Sequence, residues 1–315
     1  MHDTRVSRRS FLAASGLTLA GSLLGAQSDG AASEPVIDIH QHLGYSGRTD
    51  EAFLAHQRTM GVTLTILLPA GRPMVSASTH QGESNGLEAK CLGNEACRMF
   101  AKARPTAYRF AANDVPDAPG ATDELARRLR QGALLIAEQK FGVECDAPEM
   151  HRIYRLASER HVPVLMHWQF ERYNYGFERF GAVLAKYPDV KFIGHAQTWW
   201  ANIDREHHDQ SVLYPKGPVT PGGLTDRYLS EYPNIYGDLS AGSGLNALTR
   251  DEAFTRDFLA RHQDRLLFGS DCSDSDGAGA GCQGSQTLAA LRRLAPSKLI
   301  ERKLLYQNAR KTFNL

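Results

Sequence analysis

Lysine and arginine nearly balance aspartate and glutamate, leaving a net charge of +1 over 315 residues, and no basic run stands out beyond the N-terminus. Such a chain lacks the electrostatic footprint of a nucleic-acid or lipid-surface binder. The mildly apolar stretch from Phe11 to Gly25 falls short of the roughly 20 apolar residues that cross a bilayer. Ser, Thr and Gly interrupt it, so no stable membrane anchor is expected. Cysteine is scarce: Cys91, Cys97, Cys145, Cys272 and Cys282, with no C-x-x-C spacing among them. A cysteine metal site is therefore the weaker reading. Cys91 with Cys97, and Cys272 with Cys282, are close enough in sequence to bridge a loop in an oxidising compartment, but pairing cannot be read from spacing. No internal repeat or linker is evident.

Among the features present, Ser7-Arg8-Arg9-Ser10-Phe11-Leu12 is a twin-arginine pattern, and small residues offer cleavage points after Ala26 or Ala32. Residues 1–32 are accordingly expected to be an export signal, with the twin-arginine machinery as partner of the precursor and a periplasmic or secreted destination. No cysteine near the cleavage points marks a lipoprotein. Residues 33–315 suffice for one (β/α)₈ barrel, an α/β fold that typically takes about 250 residues.

Short β-like runs alternate with longer helical ones, the pattern of parallel βα units. Strands are expected near 35–40, 62–68, 108–112, 133–140, 162–167, 191–195, 234–239 and 265–270. Helices are expected near 51–60, 122–131, 148–160, 177–186, 250–261, 286–294 and 297–310. Long loops follow the second, sixth and eighth strands, over about 71–95, 197–225 and 273–284.

Four of these strands end in residues that bind metal. They are Asp38-Ile39-His40-Gln41-His42, then His167, then Gly194-His195, and Gly269-Ser270-Asp271. The C-terminal rim of a parallel barrel is where such side chains converge. With a strand period of two, Asp38, His40 and His42 would all face the mouth. Imidazoles and a carboxylate converging from several strands suit zinc or a similar divalent ion.

In these motifs the chain resembles the amidohydrolase superfamily, and within it the amidohydrolase-related branch that includes aminocarboxymuconate-semialdehyde decarboxylase. The resemblance runs from about Pro35 to the C-terminus. It implies a (β/α)₈ barrel holding one divalent ion, zinc ahead of manganese or iron, with His40, His42, His167 and Asp271 as ligands. Asp271 and His195 are implied as catalytic, the first exchanging protons with water and the second polarising substrate. On the fourth strand, related families place a carboxylated lysine or a Glu. Here Glu138 and Lys140 stand open as second-metal ligands, substrate clamp, carbamate or plain structural pair.

Trp168, Arg172, Trp199 and Trp200, in the loops after strands five and six, are expected to shape the substrate pocket, a flat substrate with an anionic group being the fit. Ser240 to Gly244 could supply backbone donors or form a plain turn, and Asp274 and Asp276 read as turn residues. The expected partner is a small molecule, with homo-oligomerisation left open. The expected reaction is hydrolysis of a C–N or C–O bond. Non-oxidative decarboxylation on the same fold is the alternative, and a non-catalytic periplasmic binding protein is the rival from another class.

Overall fold

The computed structural model describes residues 34–75, 86–88 and 90–315. The export signal expected over 1–32, and the middle of the 71–95 insertion, lie outside these residues. From Glu34 to Leu315 the chain forms one unit.

Its elements alternate along the chain. They run β1 (Ile37–Gln41), α1 (Asp50–Thr59), β2 (Leu64–Leu67), α2 (Asn94–Ala103), β3 (Tyr108–Phe110), α3 (Ala121–Arg130), β4 (Ile136–Gln139) and α4 (Pro148–Arg160). There follow β5 (Val164–His167), α5 (Phe180–Lys186), β6 (Phe192–His195), α6 (Gln197–Ala201), α7 (Leu224–Glu231), β7 (Ile235–Asp238), α8 (Ala241–Thr249) and α9 (Glu252–Arg261). Then come β8 (Leu266–Leu267), α10 (Gln283–Leu294), α11 (Lys298–Arg302) and α12 (Asn308–Phe313).

All strand pairs are parallel, in the ladders β1-β2-β3 and β4-β5-β6-β7-β8. Backbone hydrogen bonds connect the two ladders at both seams. Ala112 N–H donates to the Leu135 carbonyl and Ala137 N–H to the Ala112 carbonyl, both at 2.9 Å. At the other seam Ile39 N–H donates to Phe268 at 3.1 Å and Asp271 N–H to His40 at 2.9 Å. The architecture is a (β/α)₈ barrel, as expected.

The strands divide their side chains between two apolar layers. Ile37, Ile39, Ile66, Ala111, Leu135, Ala137, Leu165, Ile193 and Leu267 form the barrel interior, joined by Ala309 and Phe313 of α12. Val164, Met166 and Phe192 point outward against the helices. Burial of both faces explains why these strands read as continuous apolar runs.

Two strands break the alternation, and both breaks serve the rim. In β1 the register with β2 shifts between Asp38 and Gln41, and in β4 the register with β5 shifts between Ile136 and Gln139. With Ile37 and Ile39 facing inward, strict alternation would send His40 outward. The extra residue of a bulge turns it to the mouth instead. Asp38 therefore does not face the mouth with the histidines. It stays on the helix side, accepting from Gln57 of α1 at 3.1 Å and from the Ser270 amide at 2.9 Å.

Helices α1, α9 and α11 start on side-chain caps that the sequence advertises: Thr49, Asp251 and Ser297 accept from the amides of Ala52, Phe254 and Ile300. Helices α2, α6, α7 and α8 are not among the helices expected from sequence. Gly93, Ala196, Gly223 and Ser240 precede them and none makes a side-chain cap. In α8, Gly244 is demanded by packing, since a Cβ there would lie 2.2 Å from the Leu239 carbonyl oxygen. All five cysteines are buried free thiols, so neither loop bridge is present. The Cys272 and Cys282 sulfurs stand 3.5 Å apart, beyond the roughly 2.05 Å of a bond.

Candidate metal centre

The ends of β1, β4 and β6 and the segment after β8 deliver donors to one point at the rim. His40 Nε2 lies 3.2 Å from His42 Nε2, and the two lie 3.3 and 3.5 Å from Glu138 Oε2. Asp271 Oδ1 closes the group at 3.4 Å from His42 Nε2 and 3.8 Å from His40 Nε2. His195 Nε2 sits 3.7 Å from Asp271 Oδ2 and 3.8 Å from Glu138 Oε1. An ion bonded to N and O donors at about 2.0–2.2 Å sets neighbouring donors about 3.3–3.6 Å apart in a tetrahedron. The separations of Glu138 from His40 and His42, and of Asp271 from His42, fall in that range. His40 and His42 stand just under it, and those of Asp271 from His40 and of His195 are slightly longer.

Two atoms at this point are buried without a hydrogen-bond partner, His195 Nε2 and Asp271 Oδ1. Buried polar atoms are rarely left so, and a cation between them satisfies both.

The outer partners fix which ring nitrogen faces inward. His40 Nδ1–H donates to Asp238 Oδ2 at 2.6 Å, and His42 Nδ1–H to the Leu68 carbonyl at 2.7 Å. Ser240 Oγ donates to Asp238 Oδ2 at 2.8 Å and so accepts from His195 Nδ1–H at 3.0 Å. Each Nε2 is left bare for a ligand, the arrangement that holds imidazole ligands in metal sites. Asp238 is not among the site residues expected from sequence, and Ser240 is expected only as a backbone donor or plain turn. The polar group at the end of the seventh strand, in Gly237-Asp238-Leu239-Ser240, was the signal available.

His167 stands differently from the other three histidines. Its Nδ1–H donates to Glu138 Oε1, while Nε2 faces Gln169 at 3.3 Å. Glu138 shares the point with His40 and His42, while His167 meets Glu138 and His195 in an adjoining group of metal-ligand spacing. Lys140, one residue past β4, stands at the cavity wall with its ammonium 5.5 Å from the centre of the Tyr173 ring.

Without an ion, charge at the centre is heavily coupled. Burial raises the Asp271 and Glu138 carboxyls, but the surrounding imidazoles outweigh it, with Lys140 also acting on Glu138, and hold both well below the carboxylate range. Asp238 is likewise brought down to about 2 against its burial by His40 and His195. Burial would lower His40, yet Asp271, Asp238 and Glu138 raise it to about 10. His167 goes the other way, down to about 4, through burial and the Lys140 charge, so its Nε2 is a neutral acceptor at pH 7.

A cavity of about 580 Å³ opens above this point, floored by His167, His195 and Asp271. Its wall carries Tyr45, Lys90, Lys140, Arg172, Tyr173 and Tyr214. The Tyr45 phenol is raised, first by the Asp271 charge and then by burial, and stays a hydrogen-bond donor. Among the described residues no carboxylate lies within ion-pair distance of Lys90, Lys140 or Arg172.

Arg172 is thus at the pocket, but Trp168, Trp199 and Trp200 are not. Trp168 follows inward-facing His167, so alternation sends it outward, where it packs on Phe177 and Phe180 with ring centres 5.0 and 4.8 Å away. Trp199 and Trp200 of α6 are buried against β6 and β7, in space left by strand glycines. A Cβ on Gly194 would lie 2.3 Å from the Trp199 ring. Trp200 Nε1 donates to the Asp238 carbonyl at 2.9 Å. Asp274 is a turn residue, as expected, accepting from the amides of Asp276 and Gly277.

The model of the amidohydrolase family matches residues 37–315. This chain belongs to the amidohydrolase family. It is a metal-dependent enzyme of that family, and a small-molecule substrate is consistent with the membership. An uncharacterised TIM-barrel protein from Bordetella bronchiseptica superimposes with a TM-score of 0.61 at 14% identity, over 89% of this chain and 98% of its own. A 2,6-dihydroxybenzoate decarboxylase from Rhizobium gives 0.56 at 14% identity, over 89% and 99%. A putative 2-pyrone-4,6-dicarboxylic acid hydrolase from Pseudomonas putida gives 0.57 at 16%, over 89% and 97%. At such identities the likeness shows the fold alone. No curated protein matches the sequence.

Proposed function

We propose that this amidohydrolase is an exported hydrolase that uses one divalent ion, zinc by its donor set, to cleave an amide, lactone or ester bond of a small anionic molecule. The observation that supports this most is Asp271. Its buried, unpartnered Oδ1 lies 3.4 Å from His42 Nε2, beneath a cavity whose wall carries three cations.

The residues that would hold the ion are His40, His42, Glu138 and Asp271, with His195 beside them. Imidazole with carboxylate suits zinc, and also manganese or iron. A bound divalent ion supplies Lewis acidity and acidifies water towards a pKa of about 7. Asp271 accepts a proton at a carboxylate oxygen and returns it to the leaving group. His195, braced at Nδ1 by Ser240 and Asp238 and raised by Asp238 and Asp271 against its burial, donates from Nε2–H to the reacting carbonyl in its protonated form, and the Tyr45 phenol donates to developing negative charge. Lys140, Arg172 and Lys90 bind the anionic group and set the orientation of the scissile bond. The twin-arginine segment supports export before turnover.

Decarboxylation is the second reading, favoured by the same cations. Lys140 stands close enough to Glu138 and His167 for its charge to act on both, so a substrate carboxylate could lie against the ion. The named substrates of two structures sharing the fold, 2,6-dihydroxybenzoate and 2-pyrone-4,6-dicarboxylic acid, are both carboxylates. The deciding experiment assays the metal-loaded mature chain on anionic lactones, esters and amides, and for carbon dioxide release on aromatic acids, with Asp271→Asn beside it. Bond cleavage lost in Asp271→Asn supports the hydrolase. Carbon dioxide release without hydrolysis transfers the assignment to the decarboxylase. Tight binding without turnover on either panel brings forward the binding protein.

A further inference from the structure

On the helix side of β8, away from the mouth, a second set of ligand-type side chains meets. Cys272 Sγ is 3.5 Å from Cys282 Sγ, which in turn is 3.4 Å from His56 Nε2 and 3.9 Å from Met60 Sδ. The donor atoms of His56, Cys272 and Cys282 all lie within 4.8 Å of one another, and all three residues are buried. They come from α1, from the segment after β8 and from the N-cap of α10. We propose that His56, Cys272 and Cys282 form a structural site for a zinc-class divalent ion, with the Met60 thioether at its open side.

Three observations converge on this reading. Zinc bonds to sulfur at about 2.3 Å and to imidazole at about 2.0–2.1 Å, which puts tetrahedral neighbours about 3.5–3.8 Å apart. The sulfur–sulfur and sulfur–nitrogen separations, 3.5 and 3.4 Å, sit at the short end of that spacing. Charge gives the second reason. Two thiolates and a neutral imidazole around a divalent ion sum to zero, the condition a dry interior imposes, whereas a monovalent ion would leave a buried negative charge. On binding, the two thiols release two protons to solvent, and nothing is oxidised. The third reason is His56 itself. Its ring is fully buried, and the only hydrogen-bond contact of that ring among the described residues is from Nε2 to the Cys282 sulfur, which sets Nε2 beside both thiols. A buried imidazole needs more than that to justify its place.

Such an ion would tie α1 and α10 to the segment that carries Asp271. Gln283, next to Cys282, donates to the Asp271 carbonyl at 2.5 Å, and Gly277 packs so closely on α1 that a Cβ would lie 2.4 Å from the His56 carbonyl oxygen. The site's role is to hold the loop after β8 in register with the catalytic centre.

The test loads the full mature protein with cobalt(II) and reads thiolate-to-cobalt charge-transfer absorption, together with cobalt content. The expected result is about two equivalents of cobalt and a charge-transfer band. In Cys272→Ser/Cys282→Ser the band is lost and cobalt falls by about one equivalent, while Cys91→Ser, near His42, leaves both unchanged. His56→Gln, with both thiols intact, should weaken the band. Three results overturn the proposal: no band in folded, cobalt-loaded wild type, a band that survives in the double variant, or a Cys272–Cys282 cross-linked peptide in the purified protein holding one ion.

Discussion

Replacing Asp238 by Asn removes the outer support of the centre at a residue that does not line the cavity. Asp238 Oδ2 accepts from His40 Nδ1 at 2.6 Å and from Ser240 Oγ at 2.8 Å, and Ser240 passes the orientation on to His195. Held at about 2, the carboxyl is charged at every working pH. The Asn side chain has nearly the same shape but removes a full negative charge behind His40 and turns one acceptor into a donor. Loss of such an outer partner typically costs about 10–100-fold in metal affinity or activity, or about 1.4–2.7 kcal/mol. Two imidazoles depend on this one carboxylate, so the expected loss lies in the upper half, about 30–100-fold. Chelator-competition titration of wild type, Asp238→Asn and Ser240→Ala measures it, with circular dichroism confirming the fold. Ser240→Ala, which leaves the His40–Asp238 bond intact, should lose less. A folded Asp238→Asn protein binding within about threefold of wild type would refute the reasoning.

In metal-free protein, His40 is raised from 6.5 to about 10, so its contribution to stability is complete below about 6.5 and lost as pH climbs through 10. The stripped protein should therefore melt at falling temperature across that window, and the loaded protein much less so. A flat profile for the stripped form would contradict the assigned coupling. Lys140→Met and Arg172→Gln should each raise KM for an anionic substrate about tenfold or more, as expected for a lost charged hydrogen bond, with kcat changing less. An unchanged KM in both would remove the cationic wall from substrate binding. Trp168→Ala should cost about 3–5 kcal/mol in denaturant unfolding as a large buried aromatic, while Trp168→Phe leaves KM unchanged. A KM shift in folded Trp168→Phe would return this residue to the pocket.

How far the centre was legible depended on strand parity. His40, His42, His195 and Asp271 follow apolar runs, and a polar residue ending such a run stands out in any window. The barrel was legible for the same reason, since strands buried on both faces stay apolar throughout. What could not be read was which way a side chain turns where a register slips. Asp38 and His40 are two apart yet face opposite ways, and Glu138 reaches the centre through the break in β4. The tryptophans misled through composition. Large aromatics near an Arg look like a pocket until Gly194 and Gly237 are seen to make room for two of them in the core. Asp238 was overlooked because its role is to hold another residue, and support of that kind has no spacing of its own.

Charge at the centre bears on how many ions it takes. Glu138, Asp238 and Asp271 are three buried carboxylates within reach of one another's imidazole partners, all held in the ionised range. With every histidine neutral they would leave three negative charges in a low-dielectric pocket, which a protein does not sustain uncompensated. Protons on the imidazoles discharge them in the metal-free state, which is why His40 holds its proton so tightly. One divalent ion replaces those protons and leaves a single negative charge, which the Lys140 ammonium at the cavity wall balances. A second divalent ion at the rim would carry the group past neutrality by two positive charges. The count therefore supports one ion at the mouth, with Lys140 as part of its charge balance. Lys140→Met should then weaken retention of that ion as well as of substrate. Arg172, which is not among the leading charges acting on these carboxylates, should weaken substrate binding alone.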